Sequence, residues 1–146
     1  MPTSRTSDGT AASIDPTRFP VAAGEDPWTV EELEEIREDL QAEIKRMQRA
    51  VQVTEAELED LFADGSDGAG RDPADVGSSN FERDQEMSLA QNARDMLEQA
   101  QLAYKLFLSG DYGRCEVCGQ PIGKDRLQVF PRATMCMTCK QREERR

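Results

Sequence analysis

CEVCGQPIGKDRLQVFPRATMCMTC, residues 115–139, holds every cysteine of this 146-residue chain. The four fall into two C-x2-C pairs with seventeen residues between them. A disulfide framework, a redox dithiol and a metal site are the readings to weigh. No N-terminal apolar run resembles a signal peptide, and no stretch approaches the ~20 apolar residues of a membrane span. The expected compartment is the cytoplasm, whose reducing poise disfavours structural disulfides. Two residues between thiolates let one tight turn supply two corners of a tetrahedron, and Gly119 suits the bend such a turn needs. The spacer length is also usual for paired-cysteine zinc sites. The expectation is a tetrathiolate zinc site with Cys115, Cys118, Cys136 and Cys139 as ligands, and a redox pair as the alternative.

Four thiolates close the coordination shell. Catalytic zinc keeps a position open, often among His ligands, and this chain has no His. The same absence removes nucleophile–His dyads and the His-containing zinc deaminase site. The reading is therefore one structural Zn²⁺, which supplies folding energy to a segment too small to fold on its own core.

Upstream of the cysteines the pattern is helical. Thr29 is followed three residues later by Glu32, the capping-box spacing, and Glu31, Glu32, Glu34 and Glu35 crowd the positive end of a helix dipole. Leu33, Ile36, Leu40, Ile44, Met47, Val51, Thr54, Leu58 and Leu61 then recur in steps of three and four, a coiled-coil seam with one stutter. ADGSDGAGRDPADVG, residues 63–77, breaks it with four Gly, one Pro and four Asp, and reads as a loop. A second helix is expected over residues 78–109, with Leu89, Ala93, Met96, Ala100, Ala103 and Phe107 as its seam. Leu97, Tyr104 and Leu108 widen that stripe, and Gly110 is the stop. Neither stripe can be buried alone, so an antiparallel hairpin over residues 28–109 is expected, with a parallel dimer as the alternative. Residues 1–27 are rich in Thr, Ser, Ala, Pro and Gly, lack periodicity, and read as a disordered tail.

Composition agrees with such a body: 37% hydrophobic, 5% aromatic and 32% charged residues fit an elongated helical chain better than a large core. The fold class expected is mainly α, a long two-helix coiled-coil hairpin followed by a small four-cysteine zinc finger and a short terminal helix over residues 110–146. A net charge of −11 disfavours general binding to phosphate backbones. Residues 110–146 nevertheless carry eight Lys/Arg against five Asp/Glu, a mildly basic end on an acidic body. These basic residues are scattered and few aromatics accompany them, which disfavours nucleic-acid reading.

The cysteine segment resembles the zinc finger of the DksA/TraR family of bacterial regulators. Cys115-Glu116-x-Cys118, Ile122, Arg126, Pro131 and Cys136-x-x-Cys139 match each fixed position of the pattern C-[DES]-x-C-x3-I-x3-R-x4-P-x4-C-x2-C. The family also carries an acidic hairpin tip, D-x-x-D-x-A. Here RDPADVG supplies Asp72 and Asp75, with Gly77 in place of the Ala, and FERDQEMSL after it is typical of DksA-like proteins. The resemblance implies a non-enzymatic transcription regulator that binds RNA polymerase directly. The tip Asp72 and Asp75 would enter the secondary channel near the metal-dependent active centre, and the finger and terminal helix would meet the channel rim. Arg126 and Lys140 would serve as rim contacts or bind the alarmone guanosine tetraphosphate. Gln99 and Phe130 stand where alarmone-responsive members have basic residues, which counts against alarmone dependence. Two other functions compete: a zinc-ribbon coiled-coil adaptor for another protein, and a thiol switch that releases zinc on oxidation.

Overall fold

A computed structural model describes residues 14–65 and 73–145. Among the described residues four helices follow one another: α1 (Val30–Gly65), α2 (Pro73–Ser109), α3 (Lys124–Val129) and α4 (Met137–Glu144), preceded by a 3-10 turn at Pro16–Arg18. Among the described residues there is no β-strand, and no helix is long and apolar enough to cross a membrane.

The start of α1 is the predicted capping box. Thr29 N donates to Glu32 Oε1 at 3.0 Å, and Glu32 N donates to Thr29 Oγ1 at 3.1 Å. Trp28 and Leu33 occupy the positions of a hydrophobic staple and are both buried. The end of α2 is equally explicit. Gly110 has φ +83°, its N donates to Phe107 O, and Asp111 N donates to Leu106 O, the paired bonds of a Schellman stop.

The chain divides into two compact units, one of residues up to Leu40 and from Ala103 onward, the other Gln41–Leu102. In the second unit the helices run antiparallel. Glu55 pairs with Arg94 at 3.6 Å, while Phe62, further along α1, lies under the Arg83 guanidinium, further back along α2. Ile44, Met47, Val51, Thr54, Leu58 and Leu61 are all half-buried, as the seam requires. On α2, Ala90, Ala93 and Ala100 are buried, which lets the two backbones approach closely.

The α2 seam departs from expectation at two leucines. Leu89 is 47% exposed and its neighbour Ala90 is fully buried, so the stripe steps back from Ala93 by three residues. Leu108 is 61% exposed and does not widen the stripe. Both helices also run further than the loop expected over 63–77: α1 reaches Gly65 and α2 starts at Pro73. Proline suits a first helical position, where its missing N–H is not needed.

In the other unit, Phe19, Trp28, Leu33, Ile36, Leu40, Ala103, Phe107, Tyr112, Ile122 and Leu127 form one core with Cys115 and Cys139. The expected disordered tail 1–27 is corrected here for residues 14–27. Phe19 is 7% exposed, with its ring centroid 5.2 Å from that of Phe107. Arg18 Nη2 donates to Ser109 O at 3.3 Å, placing a cation on the last carbonyls of α2. Residues 1–13 lie outside the described residues.

Candidate metal centre and hairpin tip

Cys115 and Cys118 stand on a knuckle whose turn is closed by Gly119 N donating to Cys115 O at 2.9 Å. Gly119 has φ +77°, a conformation that a side chain would strain, with open space where a Cβ would go. A bridge between Arg114 and Pro121, and the bond from Ile122 N to Gly113 O at 2.7 Å, hold the flanks together. Cys136 precedes α4 directly and Cys139 lies within its first turn. Glu116 N donates to Thr134 O at 2.8 Å, which joins the two pairs.

The four Sγ atoms lie within 4.8 Å of one another, and Cys118 Sγ is 3.8 Å from Cys136 Sγ. A tetrahedral ion bound at ~2.3 Å requires S···S edges of ~3.8 Å, so the cluster has the size of a Zn–S₄ site. The donor set is all-sulfur, as a soft thiolate site for zinc demands. Burial opposes charge on Cys115, but N–H groups of Cys118, Cys136 and Val117, with the Cys139 thiol, outweigh it and lower its pKa to about 6. Cys139 is pushed up to about 12, by burial first and then by the neighbouring sulfurs. Cys115 and Cys139 are buried, Cys136 is half-buried and Cys118 is exposed.

The motif residues around the cysteines have structural work. Ile122 is fully buried. Arg126 Nε donates to Met135 O at 3.1 Å, which fastens α3 to the segment that delivers Cys136. Pro131 O accepts from the buried Tyr112 hydroxyl at 2.7 Å. Arg126 is thus half-buried and committed to the finger, with its guanidinium 5.9 Å from the Phe130 ring centroid. Lys140 stays near the surface, 3.9 Å from Glu144 on the next turn.

Asp72 lies outside the described residues. Asp75 has its backbone in the first turn of α2, so it is helical where a loop was expected. Gly77 is helical as well, and a Cβ there would meet nothing within 4 Å.

Sequence reading missed a second acidic feature. Glu57, Asp60 and Leu61 of α1 face Glu82, Gln85 and Glu86 of α2 across an open groove of ≈ 390 Å³. Glu86 Oε2 is buried without a partner. Desolvation, then the charge and side chain of Glu57, raise the Glu86 pKa above its ordinary value. The signal was hidden because charged residues at helical spacing usually mark a solvated face.

Residues 110–145 match the family described as prokaryotic dksA/traR C4-type zinc finger. The RNA polymerase-binding transcription factor DksA of Caulobacter vibrioides is 37% identical over 75 residues, 51% of this chain and 53% of that protein. The chain therefore spans about half the length of that relative. The protein of the same name from Escherichia coli is 27% identical over 117 residues, 80% of this chain and 74% of that one. Among solved structures, transcription factor DksA2 from Pseudomonas aeruginosa is similar with a TM-score of 0.62 and 28% identity, over 80% of this chain and 85% of that one.

Proposed function

We propose that the chain is a member of the DksA/TraR family, whose zinc finger matches residues 110–145, and that it is a non-enzymatic transcription regulator that binds RNA polymerase directly. The observation that carries this reading is the cluster of four cysteine thiols within the segment that matches the family's zinc finger, preceded in the chain by two long helices. A two-helix rod suits a narrow channel, and in this reading the hairpin end enters the secondary channel of the polymerase. Asp72 and Asp75 approach the active centre there. They interact with Mg²⁺, its water shell or basic catalytic-loop residues, and so alter the lifetime of promoter complexes.

One Zn²⁺ on Cys115, Cys118, Cys136 and Cys139 serves as a structural cross-link. It adds folding energy to a finger whose own apolar core is small. Arg126 contributes by holding the Met135 carbonyl. Lys140, on the exposed side of α4, is the better placed of the two for a contact at the channel rim or with guanosine tetraphosphate. The Phe130 ring has the guanidinium groups of Arg126 and Arg132 5.9 and 6.0 Å from its centroid.

Competition tests the proposal. Labelled protein is titrated with core RNA polymerase, and a transcript-cleavage factor that occupies the secondary channel is added. Displacement is the expected result. Binding that the cleavage factor leaves untouched contradicts the channel assignment, and no binding at micromolar polymerase contradicts the function.

A further inference from the structure

Lys124 opens α3, between the two cysteine pairs, and is only 9% exposed. Its Nζ donates to Glu32 Oε1 at 2.9 Å, to Asp26 O at 3.2 Å and to Pro27 O at 3.5 Å. These three acceptors use the three protons of the ammonium. The same Nζ sits 5.0 Å from the centroid of the Trp28 ring, and the Lys124 backbone N donates to Glu25 Oε2 at 2.9 Å. All of these partners lie 92–99 residues earlier in the chain.

The segment is tied internally as well. Ala22 N donates to Glu25 Oε1, and Trp28 Nε1 donates to Pro20 O at 3.0 Å. Glu32 Oε1, which accepts from Lys124, is the same atom that caps α1 through Thr29 N. A buried ammonium is tolerable only with its partners in place. Residues 20–32 and α3 must therefore be ordered together.

What orders α3 is the finger. Six residues are too few to hold a helix alone, and α3 lies between Cys118 and Cys136, inside the loop that a metal on the cysteines closes. We infer that Lys124 is a latch through which metal binding by the four cysteines orders residues 20–29 and the first turn of α1. This inference rests on the structural-zinc reading above. Lys124 is a positioning residue: it is not among the four clustered cysteine ligands, and it acts by seating the N-terminal segment. Coupling of this kind is reciprocal. If zinc orders the segment, then cutting the latch must weaken zinc binding by the factor that zinc loss loosens the segment.

The chain supplies its own reporter, because Trp28 is the single tryptophan and is 3% exposed. Full-length protein is loaded with zinc, its metal content is measured, and quenching of Trp28 emission by acrylamide is followed before and after chelation. The latch predicts weak quenching when loaded and a several-fold rise on zinc removal. Lys124→Met keeps the aliphatic stem but not the ammonium. It should take up zinc with affinity lowered on the order of 10-fold, and should show quenchable Trp28 even when loaded. Glu25→Gln, a milder cut, should move both readouts in the same direction by less. Helix content by circular dichroism guards against a variant that fails to fold, in which case Glu25→Gln alone decides. Zinc uptake with Trp28 quenching unaltered by chelation, or wild-type zinc affinity in the variants, overturns the latch alone. A chain that takes up no zinc overturns the zinc reading and the latch with it.

Discussion

Replacing Tyr112 by Phe removes one oxygen atom from the centre of the finger-bearing unit. Tyr112 is 1% exposed, and its ring lies 5.5 Å from Phe107 and 6.4 Å from Phe19, centroid to centroid. Phe preserves those contacts. What it loses is the 2.7 Å bond to Pro131 O, an acceptor in a buried residue of the finger. An acceptor left dry and unpaired costs about 1–3 kcal/mol, more than the net value of an exposed hydrogen bond. For a chain of this length that corresponds to a fall in Tm of roughly 4–8 °C at about 2 kcal/mol. The assay is thermal unfolding of the zinc-loaded protein followed by circular dichroism, with Tyr112→Ala as the larger cut at roughly 3–5 kcal/mol. Alkaline titration is the companion measurement. Burial, and secondarily Asp39, push the Tyr112 pKa well above its ordinary 10.0. The neutral form is thus favoured by folding, and the stability it supplies is complete below pH 10 and lost as pH rises further. A Tyr112→Phe protein that melts with wild type, and whose alkaline unfolding is unchanged, would refute the claim that this hydroxyl fastens the finger.

Three other perturbations have defined outcomes. Gly77→Ala should stabilise the start of α2 by roughly 0.5–1 kcal/mol, because the residue is helical and its Cβ enters open space; a lower Tm would mean that the helix does not extend so far. Glu86→Gln should raise the Tm at neutral pH, since the folded state raises the pKa of Glu86 and so loses stability as pH climbs through it. An unchanged Tm would place Glu86 and Glu57 apart in solution. Glu32 is shifted the other way, held below 4.5 first by Lys124 and then by the Thr29 N–H. Its contribution is present above pH 4.5 and disappears as pH falls below that value, so wild-type Trp28 emission should change in acid, whereas Glu32→Gln should show the altered emission already at neutral pH.

The local signals were legible in sequence where both partners were neighbours in the chain. Thr29 and Glu32 announce their own capping box, Gly110 its own helix stop, and the cysteine pairs their own knuckles. Leu33 through Leu61 reveal the α1 seam because large aliphatic side chains alternate with charges. On α2 the buried residues are alanines, and the larger Leu89 drew the stripe one position away from Ala90. Residues 14–27 were misread because Phe19 and Trp28 stand isolated among Pro, Ala and Gly. Their partners Phe107, Tyr112 and Lys124 are about ninety residues downstream, beyond any local pattern. Lys124 was one of several scattered basic residues for a related reason: two of its acceptors are backbone carbonyls, which leave no trace in the sequence. The Glu57–Glu86 pair was invisible because two unremarkable surface charges become neighbours only when the hairpin closes.

The central claim is that the acidic tip acts inside RNA polymerase while the rest of the chain positions it. The direct test is the lifetime of a promoter complex formed by purified polymerase, measured without the protein, with wild type and with Asp75→Asn. The account predicts that wild type changes the lifetime, and that Asp75→Asn binds polymerase with similar affinity but leaves the lifetime near that of polymerase alone. An Asp75→Asn protein that changes the lifetime as wild type does would contradict it.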